Sequence, residues 1–434
     1  MKQIFPTVGM IFLLFPFMAF GQLAPKASGK AEKLSLQDAI RLALNNNPEL
    51  LRAQKEIDAA SGRVLQAGRI PNPELGFGWS ETPLNFNIAD ADEKDIGIVQ
   101  PIEFPTKRSI RIDVATSDKQ IAELQYERAK IVVTARVKKA YHNLLFSRHI
   151  AENLQEQAML LKDFLDVANA RLKAGTGTYL DVIRAKVELT RLNNDLVEAQ
   201  RDVQARRVQL NLLLGKNPDQ VFELTDSLFY SPLGAERDTL LQRLMNQSAI
   251  SRIAQRAVAR QQSTLSLAKT SYLPDLTVGL FRQRRAEEPP FNANQFTGTT
   301  STSLGIQLGL SIPLWFWQEP KGLVQEASAG VSIAELNLLS TQRRIRASLL
   351  NAFNRVDVAE TQVKVFDATL LADAEDILKN GIAQYQNNQI DALNLIDVYR
   401  TYRATKVEYA RALLNFVNAV ADLEAAAELQ FDDQ

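Results

Sequence analysis

The chain has 434 residues with equal numbers of acidic and basic side chains, 50 of each, so its formal net charge is zero. This balance excludes the clustered basic excess of nucleic-acid binding proteins, and the 46% hydrophobic content excludes a highly charged disordered chain. The absence of Cys excludes disulfide frameworks, Cys-based metal sites, thiol nucleophiles and a lipidated N-terminal Cys.

The first 21 residues predict a secretory signal peptide. Lys2 precedes an apolar stretch from Val8 to Phe20, and the small residues Ala19 and Gly21 stand at the expected cleavage site. The stretch is shorter than the roughly 20 residues that a membrane-spanning helix needs. We therefore expect an exported protein without a lipid anchor, in which any insertion into a membrane uses strands.

Four segments in which apolar residues alternate with small or polar ones predict four strands in two pairs. Leu75, Phe77 and Trp79 open the first pair, and the cleanest run extends from Leu304 to Ile312 in the second. One apolar face opposite a small or polar face is typical of a transmembrane barrel wall, and a soluble sandwich is the alternative. Four strands are too few to close a barrel in one chain. In the barrel interpretation all three Trp belong to the interfacial aromatic girdle: Trp79, Trp315 and Trp317.

Two long segments without Pro, 106–217 and 321–434, predict long helices, because Pro is costly inside a helix. The first helix is expected from about residue 107 to 174, which is about 100 Å, and it returns from Tyr179 towards a C-terminal cap at Gly215. The reversals are expected at residues tolerant of a positive φ: Gly175 and Gly177 in the first half, and Asn387 and Asn388 in the second.

The second half of the chain repeats the pattern of the first at an offset of about 213 residues, including a heptad stripe that predicts coiled-coil packing. We predict a first repeat at 22–230, with strands at about 74–104 and a long helical hairpin at about 107–215. The second repeat is predicted at 231–434, with strands at about 275–313 and a hairpin at about 320–428.

These features, in this order, resemble the TolC-like outer-membrane efflux protein family. The resemblance rests on residues 34–40 with Asn47-Pro48, the Pro71-Asn72-Pro73 entry to the first strand, the duplicated strand pairs, the turn at 171–181, and Leu212 to Gly215. Residues 70–75 and 100–111 look most like the heavy-metal branch, of the cobalt-zinc-cadmium type. The resemblance implies a mostly α fold with duplicated long-helix hairpins. In the implied homotrimer, the hairpins form an α-helical barrel, and four strands per chain close a twelve-stranded β-barrel.

The family resemblance also implies a function. Such proteins are passive exit ducts in the outer membrane, surrounded by lipid at the barrel, and they dock onto a periplasmic adaptor and an inner-membrane pump. For this chain the heavy-metal branch implies divalent cations and a pump of the resistance-nodulation-division type. The family resemblance implies no catalytic residue, and we expect no cofactor. We also expect no metal site, because the chain has only two His, His142 and His149, and no Cys. A duct for drug efflux or type I protein secretion is one alternative, and a periplasmic coiled-coil adaptor without a pore is another.

The family's functional residues can be placed on this sequence. Its adaptor-docking tip corresponds to Arg171, Leu172, Gly175, Thr178, Tyr385, Asn388 and Gln389. Its acidic periplasmic gate corresponds to Asp181 and Asp397, with Asp391 as a nearby acid and Asn394 where a further acid would stand. Ile390 replaces an Arg that locks the gate in some members, so we expect that lock to be absent. A threefold ring of carboxylates would filter cations, whereas stabilisation of a helix N-terminus is the alternative reason for an Asp there.

Overall fold

The computed structural model describes residues 32–80, 91, 93–232, 248–286, 300–387 and 389–428. The predicted signal peptide and Asn388 lie outside the described residues. No helix in the described part of the chain is long and apolar enough to cross a membrane.

The first half contains two short helices, a strand pair and a hairpin of two long helices. In chain order the elements are β1 (Glu32–Leu34), α1 (Leu36–Asn46), α2 (Pro48–Ala67), β2 (Glu74–Ser80), β3 (Glu93–Ile102), α3 (Pro105–Lys173), α4 (Tyr179–Leu213) and β4 (Phe222–Leu224). The 69 residues of α3 correspond to about 100 Å of helix. Pro105 lies in its first turn, where the missing N–H costs nothing, and no Pro follows until the hairpin has closed.

The second half repeats the order of a helix, a strand pair and a long helical hairpin. Its elements are α5 (Ala249–Lys269), a short 3-10 turn (Thr270–Tyr272), β5 (Asp275–Ala286), β6 (Thr300–Ser311), α6 (Glu319–Val365), α7 (Leu371–Gln386) and α8 (Ala392–Ala427). A π-helix at Phe366–Leu370 joins α6 to α7. The first long helix of this hairpin is therefore interrupted where the sequence predicts a continuous one. A π turn is wider than an α turn and therefore resets which side of the helix faces its neighbour.

The four longer strands form one antiparallel sheet with the order β2-β3-β5-β6. Residues in register share a face, so Leu75, Ile98, Leu280 and Ile306 form one row, and all four side chains are exposed. On the opposite face glycines lie beneath large neighbours. Phe281, for example, lies over Gly305, where an added Cβ would collide with the ring. The sheet therefore has one exposed face that is mainly apolar and one face that is mainly small or polar, as the alternation predicts.

Ion pairs connect the sheet to the helices. Lys107 Nζ lies 2.8 Å from both carboxylate oxygens of Asp275 at the start of β5, and the same carboxylate accepts a hydrogen bond from the backbone N–H of Phe104. Arg111 and Glu103 form a bidentate pair at 2.8 and 2.9 Å. Residues 100–111, which carry the resemblance to the heavy-metal branch, therefore build the junction at which strand β3 becomes helix α3.

The helices pack around a core at mid-length of α3. Tyr141, fully buried on α3, lies with its hydroxyl 2.9 Å from the carbonyl oxygen of Leu34 and from the carboxylate of Asp226. Burial raises the pKa of this phenol. The contacts hold the parallel pair β1–β4 against α3. Nearby, Lys138 Nζ on α3 and the Glu424 carboxylate on α8 form an ion pair at 2.8 Å, with side chains 7% and 5% exposed.

Candidate functional site

The tip of the first hairpin is closed by a glycine and a capping box. Gly175 has a φ of +72°, and nothing lies within 4 Å of the position that a Cβ would occupy. Thr178 caps α4 by accepting a hydrogen bond from the backbone N–H of Asp181, whose carboxylate accepts one from the backbone N–H of Thr178. Gly177 has no positive φ. Gly175 alone supplies the expected left-handed residue of this turn.

The tip of the second hairpin contains no glycine between α7 and α8. Asn387 follows the last residue of α7, as the predicted reversal requires, but its φ is −88°, so it does not use the tolerance of a positive φ for which it was chosen. Asp391 is the N-terminal cap of α8, and its carboxylate accepts a hydrogen bond of 3.0 Å from the backbone N–H of Asn394. Ile390 is half-buried against the core of this tip. The returning helix of each hairpin therefore begins at a side-chain cap.

The two tips contact each other through Arg171 and Tyr385. The guanidinium of Arg171 lies 4.5 Å from the centre of the Tyr385 ring, and Arg171 Nη1 donates a hydrogen bond of 3.1 Å to the Tyr385 carbonyl oxygen. The Tyr385 ring packs edge-on against Phe164 of α3 at 5.0 Å between centroids, and burial raises the pKa of its hydroxyl. Both residues were predicted to dock an adaptor, and in this structure they also hold one hairpin against the other.

The other predicted tip residues differ in exposure. Gly175, Thr178 and Gln389 are exposed, and Leu172 is half-buried. Next to them the start of α4 presents apolar side chains to the surface, among them Tyr179 and Leu180. The tip therefore combines an exposed apolar surface with exposed polar loop residues.

Two ion pairs above the tip also connect the hairpins, and neither was predicted from the sequence. Arg400 of α8 donates two hydrogen bonds to Glu188 of α4, with Nε to Oε1 at 3.0 Å and Nη2 to Oε2 at 2.5 Å. The pKa of Glu188 is lowered by the hydrogen bonds from Arg400. Further along, Arg403 Nη1 lies 3.3 Å from Asp195 Oδ2. A charged residue beside each heptad stripe was the only signal in the sequence, because charges flanking such a stripe often pair across helices.

The predicted gate acids have different surroundings. The carboxylates of Asp181 and Asp391 both cap helix N-termini, which is the alternative role weighed for them. Asp397 is exposed on α8, and among the described residues its carboxylate has no hydrogen-bond or ion-pair partner. It lies one turn before Arg400, whose pKa is raised chiefly by the hydrogen bonds to Glu188 and further by the charge of Asp397. Asn394 is exposed in the first turn of α8.

The three Trp lie at the two ends of the sheet. Trp79 is near the end of β2 that faces away from the helices, whereas Trp315 and Trp317 lie between β6 and α6. All three are about half exposed or more, at 47%, 63% and 54%. This placement matches two aromatic belts on either side of the apolar face.

Comparison with known proteins identifies the class of molecule to which these features belong. The family model for outer membrane efflux proteins matches residues 39–216 and 240–427, one segment in each half of the chain. The chain belongs to the outer membrane efflux protein family. Its fold class, with duplicated long-helix hairpins and four barrel strands per chain, is thereby confirmed.

Relatives of this outer membrane efflux protein are similar over most of their length. The cobalt-zinc-cadmium resistance protein CzcC of Cupriavidus metallidurans is 25% identical over 88% of this chain and 87% of its own length. The outer membrane protein TolC of Vibrio cholerae is 21% identical over 98% of this chain and 95% of its own. A crystal structure of CusC superposes with a TM-score of 0.74 at 17% identity, covering 90% of this chain and 91% of that one.

Family membership gives the function at a coarse level. An outer membrane efflux protein is the outer-membrane duct of a tripartite pump, a homotrimer that works with a periplasmic adaptor and an inner-membrane pump. The family and its solved neighbours are channels rather than enzymes. The predicted duct is confirmed, and the alternative of an adaptor without a pore is not supported.

Proposed function

We propose that this outer membrane efflux duct exports divalent metal cations that it receives from a pump of the resistance-nodulation-division type. The similarity to a cobalt-zinc-cadmium resistance protein along 88% of the chain carries this proposal. Residues 100–111 give it less support than their resemblance suggested, because they form the junction between strand and helix. Drugs, and proteins exported by type I secretion, are the competing cargoes.

Deletion of the gene tests the cargo directly. Cells without this chain are expected to become sensitive to zinc, cobalt and cadmium salts, with little change towards dyes or antibiotics and normal protein secretion. A metal-type pump gene beside this one would agree with that outcome. Sensitivity confined to dyes, or a secretion defect with normal metal resistance, would assign the duct to one of the competing cargoes.

Asp397 is the best candidate for the gate. Its carboxylate is exposed close to the tip, and the threefold symmetry of the trimer would place three copies at one level of the tunnel. A ring of carboxylates raises the local concentration of cations. Asp181 and Asp391 are secondary candidates, because their carboxylates also cap helices.

Asp397→Asn is expected to reduce the preference for cations over anions. The substitution removes three negative charges from the trimer while keeping the size of the side chain. The reversal potential across a planar bilayer in a salt gradient should move towards zero, whereas Asp397→Glu should leave it near the wild-type value. Asp391→Asn serves as a second comparison. It removes a charge near the tip without loss of the helix cap, because Asn is as good an N-terminal cap as Asp. An unchanged reversal potential in Asp397→Asn would remove this residue from the gate.

The exposed tip is the surface that we propose for docking the adaptor. Gly175, Thr178, Gln389 and the apolar start of α4 are accessible there, whereas Arg171 and Tyr385 support the surface from beneath. Asn388, also assigned to this surface from the sequence, lies outside the described residues.

Gly175→Val is expected to abolish pump-dependent resistance while leaving trimers in the membrane. A β-branched residue at a φ of +72° is strained by about 1–2 kcal/mol, so the turn must change shape even though no atom obstructs the side chain. Gly175→Asn is the matched control, because Asn tolerates this conformation. Resistance assays and cross-linking to the adaptor are the measurements. Full resistance in Gly175→Val would show that the shape of this turn does not matter for docking.

We further propose that residues 1–21 direct export and are removed, and that outer-membrane lipid surrounds the sheet, with Trp79, Trp315 and Trp317 at the interfaces. The apolar stretch before Gln22 and the exposed apolar row on the strands support these two points. Mass spectrometry of the mature N-terminus would test the first.

A further inference from the structure

The outward face of the sheet carries a group of basic residues at one end. The cross-strand registers place Trp79, Lys94, Arg284 and Thr302 in one row. The next row towards the helices contains Phe77, Ile96, Arg282 and Leu304. Both rows lie on the exposed apolar face, at the end of the strands furthest from the helices. We call Lys94, Arg282 and Arg284 the outward basic cluster.

This cluster lies at the border of the apolar belt. On β6 and the residue after it the outward side chains from Leu304 to Ile312 are apolar, and Leu304 is 85% exposed. A strand rises about 3.4 Å per residue, so this belt is about 20 Å tall at a tilt of about 40°. Arg282 faces outward beside Leu304, at the first level of the belt. Because the helices of an outer membrane efflux protein are periplasmic, this border faces the external leaflet.

Assembly of the trimer does not cover the cluster. All three basic residues are on β3 and β5, which are the two central strands of the sheet. Closing a barrel between protomers uses the edge strands β2 and β6. The outward faces of the central strands therefore remain in contact with lipid.

The acidic residues at this level do not share the face of the cluster. The acidic residues Glu93 and Asp95 alternate with Lys94 and therefore lie on the inward face. On the outward face Lys94 stands directly opposite Arg284, and like charges in such a pair destabilise a sheet. Among the described residues Arg282 has no hydrogen-bond or ion-pair partner, and Arg284 makes one hydrogen bond of 3.4 Å to Thr300. A bound anion would give the exposed guanidinium groups of Arg282 and Arg284 a charged partner.

We propose that the outward basic cluster binds a phosphate group of a phosphorylated glycolipid in the external leaflet of the outer membrane. Guanidinium groups match phosphate oxygens with paired hydrogen bonds, and two of the three residues are Arg. Ile96 and Leu304 flank Arg282 and lie where the acyl chains of that lipid would be. Trp79, in the row of Lys94 and Arg284, adds an aromatic surface at headgroup level. A free phosphate ion would gain nothing from these apolar neighbours.

The test measures binding of diphosphoryl lipid A to the purified trimer in detergent, by native mass spectrometry and by the rise in Tm on addition of lipid. Arg282→Gln combined with Arg284→Gln is expected to weaken binding about tenfold or more, because charge-assisted hydrogen bonds are lost. The matched control is Arg285→Gln, which makes the same change one residue further along β5, on the inward face. The Arg285→Gln variant should bind the lipid as the wild type does, whereas the single variant Arg284→Gln, with which it is compared, should bind it more weakly. Arg282→Lys keeps the charge but loses the paired geometry, and an intermediate loss is expected.

Three outcomes would overturn the proposal. Equal losses of lipid affinity in Arg284→Gln and Arg285→Gln would show that binding does not depend on the outward face of the sheet. Unchanged affinity in the double variant would exclude the outward basic cluster as the binding site. Inorganic phosphate that raises the Tm as much as the lipid does would make the cluster a plain anion site. Should the double variant fail to assemble, the single substitutions give the same comparison.

Discussion

Lys138→Met is expected to lower the free energy of unfolding by about 3–5 kcal/mol, because it leaves the Glu424 carboxylate buried without its cationic partner. Lys138 and Glu424 join α3 to α8 across 286 residues of sequence, and both side chains are almost fully buried. Chemical denaturation in detergent, together with the fraction of trimer that survives heating, would measure the change.

The adjacent residue provides a matched control. Lys139 pairs with Asp422 at the same 2.8 Å, but these side chains are 38% and 36% exposed. Solvent screens such a pair, so Lys139→Met is expected to cost less than about 1 kcal/mol. Replacing both members of the buried pair, as Lys138→Met with Glu424→Leu, should recover most of the stability. Equal costs at Lys138 and Lys139 would contradict the argument, because the expected difference rests on the deeper burial of the Lys138–Glu424 pair.

The regular elements were predictable because local rules determine them. A segment of more than 100 residues without Pro has few alternatives to long helices, and strict alternation around Leu308 has few alternatives to a strand with one apolar face. The π-helix at Phe366–Leu370 had no such signal, because a single inserted residue leaves helical periodicity almost unchanged. The conformation of Asn387 could not be read from its residue type, because tolerance of a positive φ does not require one. The repeat boundaries at 22–230 and 231–434 stay a prediction.

Pairing between the halves could not be read from the sequence. Spacing along a helix shows which residues share a face, but it does not show which face of another helix they meet. Glu188 and Arg400 are 212 residues apart, and their contact depends on how α4 packs against α8. Likewise, the contact of Arg171 with Tyr385 gives this residue a structural role that a turn motif does not show. The predicted absence of an Arg lock at Ile390 remains untested, and the Glu188–Arg400 pair is a different tie between the hairpins.

Arg400→Gln is expected to raise the open fraction of the duct about tenfold or more. If the gate opens by separation of the two hairpins at the tip, the bidentate pair with Glu188 opposes opening. Separation breaks both hydrogen bonds and leaves Glu188 with only the more distant Arg191 of its own helix, at 3.9 Å. A charge-assisted hydrogen bond contributes about 1.5–3 kcal/mol, and about 1.4 kcal/mol changes a population ratio tenfold. The mean open fraction and conductance of purified trimers in planar bilayers would measure this.

Arg403→Gln is the control for that prediction, because its partner Asp195 is half exposed and joined by a single contact of 3.3 Å. Its effect should be much smaller.

The dependence on pH distinguishes loss of the Glu188–Arg400 ion pair from a general loosening of the tip. The hydrogen bonds from Arg400 lower the pKa of Glu188 below its ordinary 4.5. The ion pair is therefore fully formed above pH 4.5, and it is lost as the pH falls through the lowered pKa and Glu188 becomes protonated. The open fraction of the wild-type duct should therefore rise only on acidification below 4.5, and Glu188→Gln should be open at neutral pH without a further rise. An open fraction in Arg400→Gln no higher than in Arg403→Gln would mean that the gate is held closed by other contacts.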